Sequence, residues 1–193
     1  DIDLATIAFG QTNTLNALQL LTAVNAVANG GNLIQPHIVK EITHKDSNGN
    51  TIVDKTIEGK TTENVLSEKT SATLREYLER TATQDEGAGT FVQGYDIGGK
   101  TGTAQKVDRE TGTYSADKYI ASMLAMTPVD DPQLTVYIAV DEPSTGVYYG
   151  GQVAAPLMKK LFSYIFAYIE SPTGKASYSI SKDVIIPEVR GTS

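Results

Sequence analysis

Two overlapping patterns hold the residues of this chain best suited to chemistry. Gly94 to Thr101, G-Y-D-I-G-G-K-T, has the spacing of a loop whose backbone amides cradle phosphates. Lys100 to Thr103, K-T-G-T, has the form of a strand motif that edges a serine acyl-transfer site. The two share Lys100 and Thr101 and exclude one another. A phosphate loop needs a helix opening at those residues, whereas the second pattern needs them inside a β-strand.

The flanking sequence decides. A phosphate loop follows a buried strand and leads into a helix, so that amide N–H groups and the helix dipole face the anion. After Thr101 come Gly102-Thr103-Ala104-Gln105-Lys106-Val107 and the turn-like Asp108 to Gly112, with no apolar helical stripe. Upstream, Thr83 to Gly89 reads as loop. Val136 to Glu142 is an apolar strand ending in Asp-Glu, as a magnesium-binding strand would be. Yet the segments 105–127 and 127–140 are joined by short loops, which antiparallel pairing permits and parallel pairing does not. The strand reading therefore stands and the nucleotide-binding reading becomes a remote alternative.

The elements that must position this strand can be placed by periodicity. Ala17, Leu20, Leu21, Val24, Val27 and Ala28 form one helical face; Asn16 with Gln19 makes a capping box, and Gly30-Gly31 ends the helix. Leu33 to Ile42 and Thr51 to Ile57 are β-branched runs around the hairpin signal Asn48-Gly49. His37 and His44 lie on or near this hairpin, have no acidic or serine partner at a telling spacing, and read as surface residues. Ser67 caps a second helix carrying Leu74, Tyr77, Leu78 and Ala82, with Glu76, Glu79 and Arg80 on its wet side, running into the loop Asp85 to Gly89. Tyr119 to Thr127 and Leu134 to Val140 read as strands. The latter is apolar at nearly every position, so both faces are expected to be covered. A last helix from about Val153 to Ile169 carries Leu157, Leu161, Tyr164, Ile165 and Tyr168 as its expected core stripe.

Composition narrows the function. The 193 residues are 40% hydrophobic and 20% charged with net charge −7, an ordinary globular balance and a poor match to nucleic acid. With no cysteine there is no thiolate chemistry, and two histidines are a poor basis for a structural zinc site. No apolar run reaches the roughly 20 residues of a membrane span. The chain reads as a piece of a longer protein.

Several separated stretches, in order, resemble the C-terminal half of the transpeptidase domain of class B penicillin-binding proteins, the enzymes that cross-link peptidoglycan. They are Phe9-Gly10-Gln11 with the helix after it, Lys100 to Gln105, Asp141-Glu142-Pro143, and Tyr148 to Pro156. Thr12 stands where the family has a second glycine, and Asn16-Ala17 replaces its Thr-Pro. The resemblance implies an α+β fold, an antiparallel sheet flanked by helices like that of serine β-lactamases. It divides the chain into a transpeptidase portion over 1–170, a linker over 171–183 and, from Val184 to Ser193, the start of a PASTA module, a small domain that follows some Gram-positive members.

By the same resemblance, the Thr103 backbone N–H is one oxyanion donor, Lys100 sets a positive potential, and the Thr101 and Thr103 hydroxyls bind the substrate's terminal carboxylate. Gly102 permits close approach and Gln105 flanks the cleft. The implied partners are peptidoglycan stem peptides, β-lactams and the preceding half of the domain, on the outer face of the plasma membrane, with the membrane reached only through an N-terminal anchor outside the chain. The family's nucleophile lies in Ser-x-x-Lys and is assisted by Ser-x-Asn, both ahead of Lys-Thr-Gly. No Ser-x-Asn occurs here, and the Ser-x-x-Lys spelled by Ser115 to Lys118 follows the strand motif in a hairpin loop. Ser115 is thus not expected to be catalytic, and the chain alone is expected to be inactive. No metal or organic cofactor is implied. The main alternative is a non-catalytic β-lactam-binding or sensor module.

Overall fold

The fold is that of a computed structural model describing residues 14–84, 90, 92, 94–108, 110–144 and 146–170. The turn at Phe9 to Thr12, the loop Asp85 to Gly89, the linker and the PASTA-like tail lie outside the described residues. Helix α1 (Ala17–Ala28) starts as its sequence demands. Asn16 Oδ1 accepts from the Gln19 amide at 2.9 Å while Gln19 Oε1 accepts from the Asn16 amide at 3.1 Å, so both halves of the capping box form. The helix stops at Asn29, ahead of Gly30 at φ +84°.

The next segment differs from expectation. Leu33 to Ile42 is not one strand: β1 (Leu33–Ile34) pairs with β4 (Thr61–Thr62), while β2 (Glu41–Lys45) pairs with β3 (Thr51–Thr56) in a separate hairpin. Pro36 lies between the two and cannot donate to a ladder. The hairpin turn forms where Asn48-Gly49 placed it, with Gly49 at φ +82° and the Asp46 carboxylate accepting from the amides of Asn48 and Asn50. The Asn50 side-chain amide, which donates to Asp46 Oδ2 at 3.0 Å, and then these backbone amides hold the Asp46 carboxyl below its usual range. Every residue of β2 and β3 is exposed. His44 has an acidic partner after all: Nδ1 lies 2.7 Å from Asp54 Oδ1, a cross-strand contact that spacing along the chain cannot reveal.

Helix α2 (Glu68–Gln84) is capped by Ser67, whose Oγ accepts from the Thr70 amide at 3.1 Å. Of its expected apolar face Ala82 is buried, Leu74 and Leu78 are half-buried and Tyr77 is exposed, while the polar Ser71 is buried. Ser71 Oγ donates to the Val27 carbonyl oxygen at 2.6 Å, joining α2 to α1, and Arg75 donates to Ser71 Oγ at 2.9 Å.

The main sheet has the order β5 (Gly98–Val107), β6 (Tyr114–Thr127), β7 (Leu134–Asp141), antiparallel throughout. Contrary to expectation, β7 is half-buried or exposed along its whole length, because among the described residues nothing pairs with its outer edge. Helix α3 (Gly150–Glu170) packs on one face of this sheet, and α2 approaches β5 at Gly98 from the other. The core between α3 and the sheet is Ala154, Ala155, Met158, Phe162 and Phe166 with Ile97, Met123 and Ala125. Tyr95 stacks on Phe166 with ring centres 3.7 Å apart. The expected stripe was therefore displaced: Leu157 and Tyr168 are about half exposed, at 46% and 56%. Both stripes have helical spacing, so periodicity locates the helix but not the side it turns to the sheet.

Candidate functional site

Strand β5 brings the expected residues together. Lys100, Thr101, Gly102, Thr103 and Gln105 follow one another along it, opposite Leu124, Met123, Ser122, Ala121 and Tyr119 of β6. As none of the described residues pairs with the other side of β5, its outer edge is open over this stretch. A strand edge of this kind can add an extended peptide as a further strand. Lys100 and Thr101 sit mid-strand, which removes the phosphate-loop geometry: no helix opens there to face an anion.

Side chains alternate along a strand. Thr101 pairs with the fully buried core residue Met123, so Thr101 and Thr103 stand on the α3 face, and Lys100 and Gly102 on the opposite one. Lys100 is exposed and its Nζ donates to the Thr101 carbonyl oxygen at 3.1 Å. Thr101 is 8% exposed. Gly102 lies opposite Ser122, and a Cβ there would come 2.6 Å from Ser122 Oγ, so the glycine is required by its neighbouring strand as well as by any approaching ligand. Thr103 Oγ1 accepts a hydrogen bond from the Gly150 amide at 3.0 Å.

Gln105 Nε2 donates to the Ser115 carbonyl oxygen and to the Tyr119 hydroxyl, each at 3.3 Å. Tyr119 stacks on Tyr148 with ring centres 4.0 Å apart, and Tyr148 leans on Tyr149. The Tyr149 hydroxyl, 3.4 Å away, is the largest cause raising the Tyr148 phenol to about 12. One residue further along β5, Lys106 Nζ reaches Asp141 Oδ1 at 2.8 Å and Glu142 Oε1 at 2.6 Å, fastening the end of β5 across β6 to the end of β7. These bonds, that to Asp141 first, push the Lys106 ammonium above its ordinary value. Glu142 holds φ +51°, a left-handed conformation that a non-glycine side chain adopts at a cost.

Ser115 lies not in a hairpin loop but near the start of β6, in the stretch where the β5–β6 register is irregular. Its Oγ donates to Asp117 Oδ1 at 2.9 Å and accepts from the Lys118 amide, a local turn, while Lys118 Nζ is 4.0 Å from Glu142. The Ser-x-x-Lys spelling there carries no paired nucleophile and base. Sequence reasoning gave Gly150 and Lys106 no role. Their partners are 47 and 35 positions away, beyond the reach of any spacing rule. Among the described residues no group of acidic, histidine or cysteine side chains could hold a metal ion, and no helix is long and apolar enough to cross a membrane.

An antiparallel sheet with helices on both faces and a Lys-Thr-Gly-Thr strand at its open edge is the architecture of penicillin-recognising proteins. Residues 1–163 match the family model described as the penicillin binding protein transpeptidase domain, and the chain belongs to that family. Stage V sporulation protein D of Bacillus subtilis is 40% identical over 161 residues, which are 81% of this chain and 24% of that protein. A peptidoglycan D,D-transpeptidase FtsI homolog of Mesostigma viride is 30% identical over 89% of this chain and 30% of its own length. Among solved structures, penicillin binding protein 3 of Mycobacterium tuberculosis in complex with ampicillin superposes with TM-score 0.70 at 27% identity, over 84% of this chain and 36% of that one. The transpeptidase domain of Burkholderia pseudomallei penicillin-binding protein 3 gives TM-score 0.67 at 29% identity, over 92% of this chain and 49% of the other. The chain thus spans about a quarter to a third of the length of these curated relatives.

Proposed function

We propose that this chain is the part of a serine D,D-transpeptidase that receives the substrate, and that the nucleophile lies in the half of the domain preceding it in the full-length protein. The observation that carries this reading is the Lys100 to Thr103 strand on an open sheet edge, in a chain of the transpeptidase family. A stem peptide would lie along β5 as an added strand, its terminal carboxylate meeting the hydroxyls of Thr101 and Thr103 in the field of Lys100. The Thr103 backbone N–H would hold the carbonyl oxygen as it becomes an oxyanion, a single donor worth about 10²–10³ in rate. The preceding half would supply the serine, which displaces a terminal D-Ala as the acyl bond forms; an amine on a second stem peptide then takes the acyl group and frees the serine. A β-lactam would enter by the same edge and remain as the acyl-enzyme. Stage V sporulation protein D and the D,D-transpeptidase relatives support this assignment. On this reading the parent works at the outer face of the plasma membrane through an anchor ahead of this chain, and residues 184–193 open a PASTA module.

The test is labelling of the full-length protein with a fluorescent penicillin, followed by peptide mapping. A covalent adduct on a serine upstream of this chain, lost in Thr103→Pro, is the expected result. An adduct on Ser115, or reversible binding with no adduct, would overturn the proposal, the latter in favour of a binding module.

A further inference from the structure

We infer that Gly150, the first residue of α3, is a positioning residue for the proposed reaction: its amide holds the Thr103 hydroxyl with its hydrogen free for the substrate's carboxylate. The inference rests on the acyl-transfer reading above and concerns how the carboxylate is chosen.

A threonine hydroxyl has one hydrogen to give and can accept two. A carboxylate can only accept, so it needs that hydrogen. The Gly150 N–H already donates to Thr103 Oγ1 at 3.0 Å, which forbids the hydroxyl from pointing its hydrogen toward the helix. The rotor is thereby confined to directions away from α3. A hydroxyl that accepts from an amide is also polarised into a better donor. The amide of a helix's first residue has no partner within the helix and sits at the positive end of the dipole, so the contact places positive potential beside the same oxygen.

The close approach this needs is visible in the backbone. Gly150 is buried, and a Cβ on it would lie 2.4 Å from the Gly102 carbonyl oxygen, 2.5 Å from the Ser122 carbonyl oxygen and 3.1 Å from the Gly102 nitrogen. The start of α3 therefore rests directly on the β5–β6 ladder at the motif. Only a residue without a side chain can bring its amide there. A bond that merely capped α3 would not require the helix to start against the backbone of the substrate strand.

The experiment compares two probes on the full-length protein: benzylpenicillin, and its methyl ester, in which the carboxylate is blocked. The second-order acylation rate is measured for the wild type and for Gly150→Ala, Gly150→Pro and Thr103→Val. Alanine keeps an N–H, but its Cβ would displace it from Thr103; proline removes the N–H outright. The expected result is that the preference for the free acid over the ester falls about tenfold in Gly150→Pro, close to its value in Thr103→Val. Gly150→Ala, whose Cβ would lift the amide from the ladder, should lose the preference as well.

Equal losses on both probes, leaving the preference at its wild-type value, would overturn the inference while leaving acyl transfer intact. A wild-type protein acylated by neither probe would overturn the acyl-transfer reading and this inference with it. If neither Gly150 variant folds, amide hydrogen exchange decides. The Gly150 segment in Thr103→Val should exchange about tenfold faster than in the wild type, and unchanged exchange would show that the bond does not hold the hydroxyl.

Discussion

Lys100 and Thr103 stand on opposite faces of one strand, so they can serve one ligand only where the ligand comes to the strand's edge. That geometry makes the charge and the hydroxyl separable by mutation. Lys100→Met in the full-length protein is expected to slow penicillin acylation by about 10- to 100-fold, the loss of one charge-assisted hydrogen bond of roughly 1.5–3 kcal/mol. Stopped-flow acylation with circular dichroism as a folding control measures this, and a change below twofold would remove Lys100 from the site. Tyr148 offers a second residue-scale test. Its phenol is raised to about 12, so the folded state holds that proton longer than the unfolded chain. The associated stabilisation is whole below the ordinary value of 10.0 and gone once pH passes about 12. Tyrosinate absorbance should show one late-titrating tyrosine, and Tyr149→Phe should bring it earlier.

Elements differ in how far their sequences determine them. Asn16, Gln19 and Asn48-Gly49 act within a turn of chain, and the structure has the capping box and hairpin turn where they lie. Helix α3 is harder, because Met158, Phe162 and Phe166 form one apolar stripe and Leu157, Leu161 and Tyr168 an adjacent one. Which stripe is buried depends on where the sheet sits, information that the helix's own sequence lacks. Truncation separates them: Phe162→Ala should cost about 3–5 kcal/mol in urea unfolding, and Leu157→Ala under about 1 kcal/mol. Comparable losses would contradict the packing. The Lys106 clamp was likewise illegible, since its partners become neighbours only when β6 is laid between β5 and β7. Lys106→Met should cost at most about 1 kcal/mol, because Asp141 and Glu142 are well exposed, and the difference should shrink in 1 M salt. Its pH signature has a definite sign. With the folded-state value raised, the contribution is intact below the ordinary lysine value of 10.5 and fades as pH climbs through the folded one.

At the scale of the molecule, the three-stranded sheet has two open edges among the described residues: β5, which carries the motif, and β7, which carries none. On the proposed reading the first edge takes the substrate and the second is left for the preceding half of the domain. The chain expressed alone should therefore not be labelled by a fluorescent penicillin, and co-expression with the preceding half should restore labelling. A labelled chain on its own would contradict this division. Strand β5 was legible because K-T-G-T and its flanks state a local conformation. The sites of Gly150 and Ser122 were not, because they are defined by backbones meeting at long range. That meeting has a consequence for assembly. Side chains along a strand alternate, so a slip of β6 by a single residue would turn Met123 toward the place now filled by Ser122. Such a slip would also take Met123 out of the core it shares with α3. The pairing of Gly102 with Ser122 thus marks the register that keeps Met123 in the core, and with it the height at which the Thr103 N–H stands along the sheet.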